Sequence, residues 1–250
     1  MLKWIFFDIG NVLFNDDQQA FFGYLSLFEA LRETNPQQTF SELMSAREAE
    51  AKRGQQWIIS RLAKSRLTPE RYSTWSQYVS NELRNRYDEF HLLNPHAFEM
   101  LQELRAQYRL GIIANQTTAC RPSLERRELM EYFDLIGISD ELGCSKPDRQ
   151  IFEWALNEAG CHPGESLMIG DRVDNDMLPA SELGMQGLLV HWSSFERKLW
   201  QPQDRLAREF LASCTNVPLF PHGLVDFDRY PCVNNLGEIP EKIAEMEQSV

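Results

Sequence analysis

Four short stretches of this sequence carry residues able to do chemistry, three of them closing an apolar run. The first is Phe7-Asp8-Ile9-Gly10-Asn11-Val12-Leu13, where an aspartate closes the run Trp4-Ile5-Phe6-Phe7. The Gly-Asn pair after it lets the backbone turn and aim its amides at a ligand. The second stretch is Ile112-Ile113-Ala114-Asn115-Gln116. The third, Ser145-Lys146-Pro147-Asp148, fixes a cation just before a helix, and the fourth, Ile169-Gly170-Asp171-Arg172-Val173-Asp174-Asn175-Asp176, ends in several carboxylates. Together they offer a carboxylate nucleophile, oxygen ligands for a hard cation, and a lysine to meet the charge of a transferred group. Mg2+ favours one or two carboxylates completed by water and substrate oxygens. Phosphoryl transfer asks mainly for positioning and neutralised oxygens, and a covalent aspartyl-phosphate divides it into two easier steps.

Taken singly, each residue has a plainer reading. Asp8 is then a solvated or capping carboxylate, Lys146 a surface charge and Asp171 a helix cap. The argument for a shared site is their order: all recur at successive strand ends of what reads as one sheet. Fully apolar runs at 3–7, 109–114, 135–138, 166–170 and 187–191 suit strands buried on both faces. Helical patterns lie between them, over 97–108 and over 148–159, the latter closed by Gly160. Alternation of this kind means βαβ units and a doubly wound parallel sheet, an α/β fold.

Residues 15–94 do not share this rhythm and read as helices only, over 19–33, 39–64 with a break near Gly54, and 69–87. A helical block between the first and second strands is an insert. Its position just after Asp8 predicts a lid over the strand ends, where open α/β sheets bind ligands. The tail after His191 is less regular, with a helical pattern over 195–210 broken by Pro202 and a short amphipathic one over 236–246.

With these motifs in place the sequence resembles the haloacid dehalogenase (HAD) superfamily, phosphatase-like and with a C1-type helical cap. The resemblance covers 1–14 and about 95–192, and Val233-Asn234-Asn235-Leu236-Gly237-Glu238-Ile239-Pro240-Glu241 is similar to the closing segment of such domains. It implies a Rossmann-like core made of 1–14 and 95–250, with 193–228 an elaboration of that core, and a cap made of 15–94. It implies that Asp8 is the nucleophile and that Lys146 holds it together with the phosphoryl oxygens. Mg2+ would be bound by Asp8, the Gly10 carbonyl, Asp171 and Asp176, the last supporting either the metal or the lysine. Asn11, Ala114, Asn115 and Lys146 fall at phosphate-binding positions.

Two positions depart from the family's pattern. Gly10 stands where the phosphatases usually carry a second aspartate as general acid and base, help typically worth about 10²–10⁴ in rate. Asp16 and Asp17 are candidate substitutes. Ala114 stands where a Ser or Thr hydroxyl usually binds the phosphoryl group, leaving Asn115, backbone amides or nearby Thr117 to replace it. The resemblance therefore implies a Mg-dependent phosphate monoester hydrolase acting on a small phosphorylated metabolite. The alternatives are a catalytically weakened phosphate-ester-binding or regulatory protein and a metal-independent 2-haloacid dehalogenase. The dehalogenases generally dispense with the acidic fourth motif, so Asp171 and Asp176 count against that last reading, and a phosphomutase normally needs the acid missing at Gly10.

Bulk properties fit an ordinary globular chain of 250 residues, 43% hydrophobic and 25% charged. A formal net charge of −12 argues against general nucleic-acid binding. It leaves room for a phosphorylated small molecule, because a metal and a lysine reverse the field locally. Five cysteines without metal spacing suggest reduced thiols, and no run approaches the roughly 20 apolar residues of a membrane span, so a cytoplasmic monomer or homodimer is expected. Trp57, Tyr72, Trp75, Tyr78 and Tyr87 recur at near-helical spacing and read as cap core, Arg47, Arg53 and Arg61 as solvated surface, and Asp174 as a loop carboxylate. Trp192, Phe195, Trp200 and Phe210 read either as a dimer face or as a tail packed on its own domain.

Overall fold

A computed structural model describes residues 1–55, 57–191, 200–216 and 229–248. The chain divides into two compact units, one holding Met1–Asn15, Leu92–Leu199 and Val225–Val250, the other Asp16–His91 and Trp200–Leu224.

The first unit is built on β1 (Trp4–Phe7), whose four side chains are all buried. After it come two short antiparallel arms, β2 (Phe14–Asn15) and β3 (Leu92–Leu93). The main sheet continues with β4 (Arg109–Ala114), β5 (Leu135–Ile138), β6 (Ser166–Gly170), β7 (Gln186–Val190) and β8 (Cys232–Val233). Its order is β5-β4-β1-β6-β7-β8, and every pairing is parallel. An all-parallel sheet is covered on both faces, which is why these strands are apolar along their length. The helix Arg149–Ala159, capped by the Asp148 side chain on the Gln150 amide, buries Ile151, Phe152 and Ala155 against one face. The order reverses at β1, since β4 lies on one side of it and β6 on the other. Such a switch point leaves a crevice beyond the carboxyl ends of the strands. The register pairs Phe7 with both Ile112 and Ile169, so Asp8 lies level with Gly170 and one residue short of Asp171.

The second unit is helical: Asp17–Arg32, Phe40–Lys52, Ile58–Arg66, Pro69–Asn85, Tyr87–Phe90 and, from far along the chain, Arg205–Asn216. Thr39 and Glu42 form a capping box, and Thr68 caps a helix that starts with Pro69, both favoured starts. Leu27, Leu43, Leu62, Trp75 and Phe210 share the core. Trp75 satisfies its indole N–H on Ser26 Oγ at 3.0 Å.

Several expectations change here. Arg47, read as solvated surface, is fully buried and donates from one guanidinium nitrogen to the carbonyl (3.0 Å) and hydroxyl (3.2 Å) of Ser213. That contact, and the packing of Phe210 between Phe21 and Tyr24, seats the helix Arg205–Asn216 in the helical unit, not on the α/β core to which 193–228 was assigned. Trp200 likewise packs on Phe21 within this unit, while Trp192 and Phe195 lie outside the described residues. Trp75 and Tyr87 are core as expected, but Trp57 is 68% exposed and Tyr78 49%. Trp57 starts its helix at φ +54, and that left-handed conformation turns it off the helix's apolar stripe. The helix 195–210 is displaced to Arg205–Asn216, beyond Pro202, with 195–199 outside the described residues. Among the described residues no helix is long and apolar enough to cross a membrane, and all five cysteines are free thiols.

Candidate active site

The ladder runs one residue past β1, because the Asp8 amide donates to the Ile169 carbonyl at 2.9 Å. Asp8 Oδ1 then accepts from the next amide, Ile9, at 2.7 Å, which fixes the carboxylate against its own turn. The amides of Val12 and Phe14 both donate to the Ile9 carbonyl, at 3.2 and 3.0 Å. This closed turn needs Asn11 at φ +52, a region asparagine tolerates better than most side chains. Asn94, which nothing local in the sequence singles out, pins the same turn from the start of the returning chain. Its side chain donates to the Val12 carbonyl at 2.7 Å and its amide to the Leu13 carbonyl at 2.8 Å.

Lys146 reaches into this corner from the loop after β5. Its ammonium, shut off from solvent, lies 2.9 Å from Asp8 Oδ1 and 2.6 Å from Asp176 Oδ1. Asp176 Oδ2 accepts the Arg172 amide at 3.1 Å. Burial alone would lower the Lys146 ammonium, but the charges of Asp176 and Asp8 outweigh it and hold the group above the ordinary lysine range. Burial pushes the Asp176 carboxyl up to about 6, with Lys146 opposing and Asp8 adding to the rise. The lysine is therefore a fixed cation shared by two carboxylates.

Asp171 follows β6 directly, and the chain then forms a π-helix over Val173–Met177. The wider turn carries Asp176, five residues on, back beside Asp8 and Asp171, and single π-turns of this kind recur at functional sites. One carboxylate oxygen from each of Asp8, Asp171 and Asp176 lies within 4.8 Å of the others. Three carboxylates against one ammonium leave the cluster negative, and an all-oxygen set of this kind suits a hard divalent cation such as Mg2+. Arg172 does not reverse the balance: it is held bidentately by Asp174 at 3.1 and 2.6 Å, so its charge brings a further carboxylate with it, although it also acts on Asp171 and Asp176. That pairing also takes Asp174 away from the cluster.

Gly170 permits the close approach of Asp176. A Cβ there would run into Cβ, Cγ and Oδ2 of the Asp176 side chain. Gly170→Ala is therefore expected to push Asp176 off Lys146, costing about 1–3 kcal/mol from overpacking and about 10–100-fold in kcat through the displaced partner. Melting curves and turnover of the purified variant check both.

The remaining residues named from the sequence fall out as follows. Gly10 lies in the turn after Asp8, bridged to Phe14, and Asn11 is buried there. Ala114 is the last residue of β4, fully buried and paired with Ile138, and its methyl brings no hydrogen-bonding group. Asn115 spends its side chain on the backbone of Lys146: Nδ2 donates to the carbonyl and Oδ1 accepts from the amide, both at 2.8 Å. Thr117 Oγ1 is buried. Asp16 lies 3.7 Å from Nε2 of the buried His91, and Asp17 is buried, both within the helical unit.

Residues 5–190 match the family model of haloacid dehalogenase-like hydrolases. The chain belongs to this family. Pyrimidine 5'-nucleotidase YjjG of Escherichia coli is 31% identical to it over 192 residues, 73% of this chain and 83% of the relative. Glyceraldehyde 3-phosphate phosphatase of Methanothermobacter thermautotrophicus is 38% identical over 99 residues, 39% of this chain but only 44% of the relative. Among solved structures, a predicted phosphoglycolate phosphatase from Haemophilus somnus matches with a TM-score of 0.64 over 96% of this chain and 97% of that one, at 18% identity, a likeness of fold alone. As a haloacid dehalogenase-like hydrolase the chain is an enzyme, with phosphatases and a nucleotidase among its relatives.

Proposed function

We propose that this hydrolase cleaves phosphate monoesters of small metabolites through an aspartyl-phosphate on Asp8, with Mg2+ as cofactor, in the cytoplasm. The observation that carries the reading is the placement of the Asp8 carboxylate. It is anchored through Oδ1 by Lys146 and the Ile9 amide, and it stands beside Asp171 and Asp176 at the carboxyl end of the central strand. With Oδ1 so engaged, attack on phosphorus falls to Oδ2. The bond to the leaving oxygen breaks as the new O–P bond forms, and water then hydrolyses the acyl phosphate, restoring Asp8 and releasing phosphate. Asp8 and Asp171 would hold the metal, completed by the Gly10 carbonyl and water, with Asp176 supporting it through its place in the trio. Bound there, Mg2+ supplies neutralisation of the phosphoryl oxygens. Lys146 keeps Asp8 ionised and oriented, and its charge faces the incoming phosphate. Asn11 and the backbone amides of the turns after β1 and β4 line the phosphoryl pocket in this reading.

Gly10 provides no side-chain acid, so the leaving oxygen departs with help from water alone, which favours substrates with good leaving groups. Pyrimidine nucleoside 5'-monophosphates come first among natural candidates, because the relative matched over most of both chains is a nucleotidase for them. The test is p-nitrophenyl phosphate hydrolysis with Mg2+ and with EDTA, followed by a panel of nucleotide and sugar phosphates. Turnover that vanishes in EDTA and returns with Mg2+ is expected. Halide release from 2-haloacids in EDTA, or tight phosphate binding with no turnover of any ester, would replace this reading with a dehalogenase or a binding protein.

A further inference from the structure

We infer that Asn115 is a positioning residue for Lys146, acting through its backbone, and that its side chain is not a phosphate ligand. An asparagine amide copies a peptide group, with one acceptor and donors in one plane. Here it is paired with both backbone groups of a single residue. Oδ1 takes the Lys146 N–H and Nδ2 gives to the Lys146 C=O, each at 2.8 Å. Two bonds to one residue fix both its position and its rotation, as a step of sheet pairing would.

A lysine needs such a hold. Its four-carbon stem is flexible, and its ammonium must satisfy Asp8 at 2.9 Å and Asp176 at 2.6 Å in a corner closed to water. The loop that carries Lys146 has no strand of its own to register it. Asn115 supplies that register, because it follows Ala114, the end of β4, which pairs directly with β1. The contacts form a ring: Asp8 ends β1, β4 lies beside β1, Asn115 grips Lys146, and Lys146 returns to Asp8. The Asn115 turn is itself braced, since the Gln116 carbonyl accepts from the Ser139 hydroxyl and the Asp140 amide, both at 3.3 Å. The Thr118 amide donates to Asp140 Oδ2 at 3.2 Å.

The inference rests on Lys146 serving the proposed phosphatase reaction, and two measurements separate its failure from failure of that reading. The first is amide hydrogen exchange at Lys146, read by NMR on the full chain. The Lys146 amide is expected to be protected in the wild type and to exchange at least about tenfold faster in Asn115→Ala, the rate following opening of the bond. An unprotected Lys146 amide in the wild type overturns the clamp whether or not the protein is active. The second is a double-mutant cycle on p-nitrophenyl phosphate with Asn115→Ala, Lys146→Met and the pair. Asn115→Ala is expected to lower kcat about 10–100-fold, with KM and the inhibition constant of inorganic phosphate unchanged within about threefold. It should have no further effect once Lys146 is methionine. Additive losses, or a rise in KM with kcat kept, would make Asn115 a direct phosphate ligand.

Discussion

Asp8→Asn is expected to lower kcat by at least about 10⁴-fold while leaving the protein folded, since loss of a nucleophile removes the chemical step itself. Asparagine has the same shape and still offers Oδ1 to the Ile9 amide, now 2.7 Å away. What it loses is the charge that attacks phosphorus in the proposed reaction and that draws the Lys146 ammonium to 2.9 Å. Lys146 keeps Asp176 as its partner, so the buried cation is not stranded and the melting temperature should move little. Turnover of p-nitrophenyl phosphate beside a thermal melt decides the matter. A folded Asp8→Asn variant with turnover within tenfold of wild type would mean that another group attacks.

Lys146→Met should damage stability as well as rate. Methionine fills much of the same volume, but Asp8 and Asp176 are left facing each other and Asp171 with no ammonium between them. Breaking a buried ion pair by removing one partner typically costs about 3–5 kcal/mol. In a chain of this size each kcal/mol shifts the midpoint by about 2–4 °C. A melting temperature lower by about 6–20 °C is therefore expected, together with a kcat lower by about 10³-fold or more. Lys146→Arg keeps the charge, yet a planar fork cannot occupy the space of a compact ammonium held by two fixed oxygens, so it should rescue neither property fully. A Lys146→Met variant that melts with the wild type would show that Asp176 takes up a proton without penalty.

The two substitutions probe features that differ in how visible they are in the sequence. The strand ending in Asp8, and those ending near Asn115 and Asp171, are legible because a strand buried on both faces must be apolar throughout and stop where the chain meets water. Each of the long strands is found within a residue of its expected limits. The strand Cys232–Val233 and the arms Phe14–Asn15 and Leu92–Leu93 are two residues each, too short for any periodicity. The π-turn is hidden for a different reason. Asp171 and Asp176 do not share a face of an ordinary helix, and only the wider turn brings them together. Arg47 shows the general limit. A charge on a helix reads as surface unless its partners are known, and Ser213, which accepts from it, lies 166 residues away. The grip of Asn115 on Lys146 spans 31 residues and is equally invisible to local pattern.

That distant partner gives the helical unit an unusual schedule of assembly. A nascent chain emerges from the ribosome at about 5–20 residues per second, so Arg47 waits roughly ten to thirty seconds for Ser213. Phe21 and Tyr24 wait as long for Phe210. Throughout that interval the first five helices hold an uncovered apolar face and a guanidinium that still lacks Ser213, while the strands carrying Asp8, Asn115 and Asp171 have already been made. The helical unit, begun at Asp17, is thus completed only after every strand of the main sheet but β8 has been made. Chains halted after β7 would carry the chemical groups intact beside an incomplete helical unit, a natural client for chaperones and proteases.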